Sequence, residues 1–516
     1  MNSIFMNYFT MVAATTQTGT DLSGAKISVI ITFAIYSIAV LGIGFYSQHK
    51  MSKSKTENFM DDFYTGGRGM GVWVLVFLLA AGLCSAGTFI GSPGMAYSVG
   101  MVFVLACMAQ SFMNFSVLGE VGTKVGIVAR RINAQSAQDL LNYRYNFNKP
   151  FRWISAIAIL VFYTANVVAQ LTGGTRLIQV MTGLDYRPAL FIFGLIIVVY
   201  TTIGGIKGVT NAVVFQGITM TAAIIVLFIV LLAKINPMGA AYQAIAAKNA
   251  SVVTPWVWTP WYTFSMFVSL GLVTIGQPHG LMSSLMYKNT KGMHRAMFVG
   301  AIVVSIWTAA IVWSGNLGRA LLPNLKVSDY VVPSLAVYLM PGWIAGLVLA
   351  GVAAAIQSTV ASVVMVISSS LVRDIYLVVK PTKDPKKIKS ATIIATLIAG
   401  LIPIIIAINP PQLLQYLILY AIGGLTSSFF WPTLLGLYWK RTTEEGALAG
   451  LVGGMVFFIL AQGKYIPNFG MHGIVVGIVV SGILTIGVSL ITKRPPKHII
   501  EVFWGKNQPE DPIKTM

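Results

Sequence analysis

The stretch AAGLCSAGTFIGSPG, residues 80–94, decides the fold. It lies in an apolar run long enough to cross a bilayer, yet Gly82, Gly87, Gly91, Pro93 and Gly94 interrupt it. Proline removes a helical hydrogen bond and glycine loosens the backbone, so this span is expected to break. A second run, GLVTIGQPHG at 271–280, is punctuated in the same way by Gly271, Gly276, Pro278 and Gly280. Backbone freed inside a membrane is tolerated only where it lines a cavity or binds something. The two runs lie five spans apart. Interruptions at matching places in two halves mark a transporter built from inverted repeats, with its sites at the breaks.

The rest of the chain agrees with a membrane setting. It has 516 residues, 56% hydrophobic and 10% charged, where soluble proteins carry about a quarter charged residues. Apolar runs of about 20 residues alternate with short charged loops. Thirteen spans are expected, at 27–47, 72–98, 101–123, 151–180, 187–206, 211–234, 262–286, 296–319, 342–372, 389–408, 411–438, 445–463 and 471–492. The fold class is therefore an all-α polytopic membrane protein with a five-plus-five inverted-repeat core at about 72–438, inside a transmembrane domain of 27–495. Residues 1–26 form an outer N-terminal tail, without the basic n-region of a cleaved signal peptide, and 496–516 form a cytoplasmic tail.

The formal net charge of +20 would suggest nucleic acid in a soluble protein. Its distribution says otherwise. With the N-terminus outside, 27 of the 35 Lys and Arg fall on the inner side and 8 on the outer. That is the positive-inside asymmetry of a plasma-membrane protein with a cytoplasmic C-terminus. Nucleic acid is excluded as a partner, and the lipid bilayer takes its place. Cys84 and Cys107 both fall in spans, which argues against a structural disulfide or a Cys-based metal site. No Walker A, HExxH or GxSxG motif is present, so neither an ATP-driven pump nor an enzyme is expected. No cofactor is expected either. A pore loop or charge ring, the mark of a channel, is also missing.

All fifteen carboxylates are assigned to tails, loops or span ends, with Asp329 in an outer loop and Asp374 in the cytoplasm. A coupled ion would then be held by neutral oxygens, which suits sodium. The segment GVAAAIQSTVASVVMVISSSLVRD, 351–374, supplies hydroxyls at near-helical spacing in Ser358, Thr359, Ser362 and Ser369.

Several stretches in recurrent order, DDFYTGGRGMG (61–71), GSPGMAYSVG (91–100), YTTIGGIKGV (200–209), GQPHG (276–280), AAAIQSTVAS (353–362) and GLYWKRTTEEGALAG (436–450), resemble the sodium/solute symporter family. Within it ARRINAQSAQDLLNYRY (129–145) and SGNLGRALLPNLKVSDYVVPSL (314–335) look closest to the sodium/pantothenate branch. The resemblance implies the leucine-transporter fold and sodium-coupled symport of a small organic solute such as pantothenate by alternating access. It also implies a sodium site made of the carbonyls of Ala81, Cys84 and Ala355 with the hydroxyls of Ser358 and Thr359. The other reading of those hydroxyls is bonding back to carbonyls one turn earlier. Where relatives often carry an acid and a serine for a second ion, this chain has Val213 and Ala361, so at most one sodium per cycle is expected. A sodium-independent or proton-coupled carrier of the same fold stays open as the alternative. Relatives also often place an arginine where Ser283 stands.

The solute is expected between the two breaks, facing Ser85, Thr88, Gln110, Gln170, Thr274, Gln277 and Thr426. Gln170 reads equally as ligand or as helix-packing glue. Arg176 reads as an attractor of a carboxylate solute or as a snorkelling side chain. The oligomeric state is not legible.

Overall fold

The structure is a computed structural model that describes residues 27–52, 71–409 and 414–505. The N-terminal tail, most of the first inner loop with Glu57, Asp61 and Asp62, and residues 506–516 lie outside the described residues. Every regular element of the described residues is helical. Among the described residues nine helices are long and apolar enough to cross a membrane, and Ile27–Val40 and Tyr186–Val199 are shorter apolar ones. The runs at 72–98 and 262–286 are not among the nine because each is broken, into Val72–Leu83 with Ser92–Val99, and Pro260–Gly271 with Pro278–Met282.

The helical backbone is continuous from Tyr186 to Lys234, and it carries two apolar segments, Tyr186–Val199 and Val213–Lys234, where the spans 187–206 and 211–234 were expected with a break near 207–210. The sequence there offers glycines but no proline. A glycine costs a helix only about 1 kcal/mol relative to alanine, which weakens it without ending it.

The helix Gly342–Ser369 is the axis of the bundle. It packs against Ile27–Ser52, Lys149–Thr182, Tyr186–Lys234 and Pro385–Ile406, and its residues from Leu349 to Val360 are all buried. The helices Glu444–Gln462 and Gly473–Ile491 pack together at the rim, with Ile483 and Ile491 exposed as a lipid-facing surface requires. Small residues allow the close approaches. Gly100, just after the first broken helix, has φ +88°, and a Cβ there would lie 1.9 Å from the Val252 carbonyl oxygen, so only glycine lets the turn Ala250–Val253 close over it.

The two ends of the bundle differ. At one, arginines tie loops to helix ends: Arg144 Nε donates to the Gly436 carbonyl at 2.7 Å, Arg152 Nη2 to Arg373 at 2.6 Å and Arg131 Nη1 to Val502 at 2.8 Å. At the other, Tyr97 donates to the Leu322 carbonyl at 2.7 Å and Tyr186 to that of Ala407 at 2.9 Å.

Two carboxylates read as loop residues are buried instead. Asp329 sits in the short 3-10 turn Ser328–Tyr330, fully shielded and ion-paired with Arg176, and its Oδ2 accepts from the Leu414 amide at 3.1 Å. Arg176 is thus neither a snorkelling group nor a free attractor, because a buried guanidinium needs a counter-charge. Asp374 lies in the π-helix Ser370–Tyr376 that continues Gly342–Ser369, and it is also buried.

Candidate functional site

At the first break the helix Val72–Leu83 stops and Cys84 turns extended, at φ −98° and ψ 112°. The chain resumes as a π-helix, Gly87–Gly91, followed by Ser92–Val99. Restarting a helix exposes amides, and side chains meet them. Gly87 donates to Ser85 Oγ at 3.1 Å, and Ser85 donates to Thr88 Oγ1 at 3.5 Å. Ala86 donates to Gln170 Oε1 at 2.7 Å. Ser85 and Thr88 therefore cap the second half of the helix.

The second break is held in the same manner. Asn114 donates to the Leu270 carbonyl at 3.1 Å, and its Oδ1 accepts from the Thr274 amide at 3.3 Å and from the Thr274 hydroxyl. The helix restarts at Pro278, at its first position, where a missing N–H costs nothing. The next amide, of His279, donates to the Tyr163 oxygen at 2.9 Å, which also bonds His279 Nδ1 at 2.9 Å. Tyr163, Asn166 and Gln170 recur at three and four residues on Lys149–Thr182, hence on one face. One helix thus serves both breaks, Gln170 the first and Tyr163 the second, while Gln170 Nε2 donates to Asn166 Oδ1 at 3.3 Å.

The residues expected to hold sodium converge. Thr359 Oγ1 lies 3.3 Å from the Cys84 carbonyl and 3.0 Å from that of Ala355, and Ser358 Oγ lies 3.0 Å from the Ala355 carbonyl. Both hydroxyls bond back along their own helix, as the other reading had it, but Thr359 also spans to the break. A hydroxyl keeps two lone pairs after donating its proton, so such bonding does not remove it as a ligand. Four of the expected oxygens, those of Cys84, Ala355, Ser358 and Thr359, thus lie together, and neutral oxygens are the ligand type a hard monovalent cation takes. Ser362 bonds the Ser358 carbonyl at 2.9 Å, and Val213 is fully buried, so no carboxylate stands at that position.

Beside this cluster is a polar cavity of about 50 Å³, lined among others by Ser85, Thr88, Gln110, Gln170, Gln277 and Thr359. Two expected lining residues are not there. Thr274 is turned to Asn114, and Thr426 is buried behind Gly276, where a Cβ would meet the Thr426 Cα at 2.4 Å. Residues missed from sequence are Ser92, Asn166, His279 and Gln415, which line the cavity, and Asn114 and Tyr163, which shape its walls. Gln415 Oε1 is buried with no partner among the described residues. A cavity of this size holds a few waters. Solute pockets run to about 300–1,000 Å³, so admitting a solute requires the walls to part.

Two broken helices, a cation-type oxygen cluster and a small cavity with polar lining between them define a secondary transporter that works by moving helices around a central site. The chain belongs to the sodium:solute symporter family, which it matches over residues 63–454. It is 34% identical over 460 residues to a sodium/pantothenate symporter of Haemophilus influenzae, covering 88% of this chain and 94% of the relative. It is 28% identical over 493 residues to an osmoregulated proline transporter of Bacillus subtilis, covering 93% and 98%. Among solved structures it is similar to a Na⁺-coupled sialic acid symporter in a substrate-bound outward-open state. The TM-score is 0.75 at 22% identity, over 90% of this chain and 98% of that one. It is an integral membrane transporter, not an enzyme, and sodium is the coupling ion of its family.

Proposed function

We propose that the chain takes up pantothenate with sodium by alternating access. One observation carries the coupling: Thr359 both reaches the Cys84 carbonyl and lines the solute cavity, so ion and solute share a wall. Sodium held by Ala81, Cys84, Ala355, Ser358 and Thr359 ties the first broken helix to the axial helix. The solute then meets a finished surface.

The lining suits pantothenate. Ser85, Thr88, Gln110, Asn166, Gln170, Gln277 and Gln415 present hydroxyls and amides, which match the solute's hydroxyls and amide. Its carboxylate faces the helix restart at Ala86–Gly87, where the dipole favours negative charge. The identity of the sodium/pantothenate relatives supports this solute over proline. We place the arginine-rich end in the cytoplasm of a cell whose plasma membrane the chain spans, with the Arg176–Asp329 end outside.

Uptake of labelled pantothenate into proteoliposomes tests the reading. An inward sodium gradient should accelerate it, and unlabelled pantothenate but not proline should compete. Equal uptake with and without the gradient would leave the sodium-independent carrier, the reading motivated by Val213, as the better one.

A further inference from the structure

The axial helix carries more oxygens than the central cluster uses. Below Thr359, the positions Ser362, Val366, Ser369 and Ser370 follow at three or four residues, hence on one face. About 16 Å down the helix from Thr359, this face reaches a second, smaller cavity of about 10 Å³. Gln138, Ser369, Ser370 and Asp374 line it, together with Pro278 and Met282 of the second broken helix. Ser368, one position away, faces elsewhere and bonds Thr396 at 2.8 Å.

This cavity presents acceptors. Ser370 Oγ donates to Asp374 Oδ2 at 3.1 Å, and Asn142 Nδ2 donates to Asp374 Oδ1 at 2.9 Å. The second bond leaves Asn142 Oδ1 facing Gln138, which must answer with Nε2, at 3.3 Å. The same Nε2 also meets Ser155. The orientation of the Gln138 amide is thereby fixed by its network rather than by choice. Its Oε1 is left with no partner among the described residues, although Gln138 is only 3% exposed. A buried acceptor without a donor costs free energy, and here it stands beside a carboxylate and two hydroxyls. The charges are arranged for weak binding. Arg373 is matched by Asp139 at 2.9 Å, and Arg152, partly exposed, lies 3.5 Å from Asp374. Arg152 is the counter-ion that an arriving cation would displace.

We propose that Gln138 Oε1, the Asp374 carboxylate, Ser369 and Ser370 form a second, low-affinity station for a monovalent cation, sodium, on its way from the central site to the arginine-rich end. Carboxylate, amide and hydroxyl oxygens are the ligand types a hard cation takes, and a space of this size holds one ion or one water. The inference rests on the sodium coupling described above.

Sodium alone is the probe, so the solute's identity does not enter. Thermal unfolding of the purified full chain in detergent is followed against NaCl, with choline chloride at equal ionic strength as control. Thr359→Ala is expected to move the half-stabilising sodium concentration up by about tenfold, the loss of one good ligand, while a sodium-specific shift persists. Adding Ser370→Ala or Ser369→Ala is expected to reduce that remaining shift to what the weakened central site alone supplies. Asp374→Asn should do the same, but it also frees Arg152, so the serine variants decide if it fails to fold. A residual shift untouched by the serine variants overturns the station, as does a Thr359→Ala protein with no sodium-specific shift at all. In that last case the central site is the only one, and the small cavity holds water. A wild-type protein indifferent to sodium overturns the coupling itself and the station with it.

Discussion

Asp329→Asn tests the least expected feature of the fold. The substitution keeps the size of the side chain and removes its charge. Arg176, whose side chain is 6% exposed, then keeps a guanidinium without its counter-charge. Breaking a buried pair from one side costs about 3–5 kcal/mol. The same carboxylate accepts from the Leu414 amide at the start of Leu414–Tyr438. A neutral amide is the weaker acceptor there, for a further loss of roughly 0.5–1 kcal/mol. Arg176→Met should cost a similar amount, by orphaning the carboxylate. Arg176→Met combined with Asp329→Leu removes both charges and should recover most of the loss, since an apolar replacement of a buried pair is often neutral. The assay is a four-protein cycle of thermal inactivation in one detergent and buffer, read as half-lives because large membrane proteins seldom unfold reversibly. The expected coupling is at least about 2 kcal/mol. Losses that simply add would refute the pairing. Uptake kinetics of the double variant separate a second role: restored stability with a persistently raised KM would mean that Arg176 also recruits the solute.

Three further outcomes follow from the geometry. Thr359→Ala removes one sodium ligand worth about 1–2 kcal/mol, so the half-saturating sodium concentration for uptake should rise by about 5- to 30-fold with little loss of folded protein; an unchanged sodium dependence contradicts the assignment. Gln170→Met strips the acceptor from the Ala86 amide, a cap worth roughly 0.5–2 kcal/mol, and hydrogen exchange should speed up across 84–91, whereas unaltered protection would show that another group holds that amide. Burial holds His472, at the start of Gly473–Ile491, neutral and lowers its pKa from 6.5 to about 4. Between those values the unfolded chain binds the proton and the folded one does not. Stability should therefore fall as pH drops from about 6.5 towards 4, by roughly 3 kcal/mol at most. His472→Asn should flatten that part of the curve, and an identical slope in the variant would assign the acid sensitivity elsewhere.

The breaks were legible because Gly and Pro act locally: a missing N–H or a loosened backbone needs no knowledge of neighbours. The hydroxyls of Ser358 and Thr359 stood out as polar in an apolar run, but their reading as sodium ligands came from the family resemblance rather than from the run itself. What stayed hidden depends on partners distant in the chain. Nothing around Tyr163 or Asn114 shows that one will hold the restart at His279 and the other the Thr274 turn. Gln170 was visible as an oddity, but its two readings could be separated only by the Ala86 amide 84 positions away. Asp329 was placed in an outer loop and Asp374 in the cytoplasm because both fall outside the expected spans, and burial belongs to the assembled bundle.

The bonds from Ser358 and Thr359 to the Ala355 carbonyl bear on how tightly the proposed sodium site can hold its ion. Before sodium arrives, both hydroxyl protons already have a good acceptor, so the protein gains no relief from unsatisfied groups when the ion enters. Sodium must compete for the same carbonyl and turn those protons aside, and each bond given up subtracts about 1 kcal/mol from the binding free energy. Two of them lower the affinity by more than tenfold. A carrier benefits from that moderation, because an ion bound too tightly would be delivered too slowly, and turnover would stall on the cytoplasmic side of the cycle.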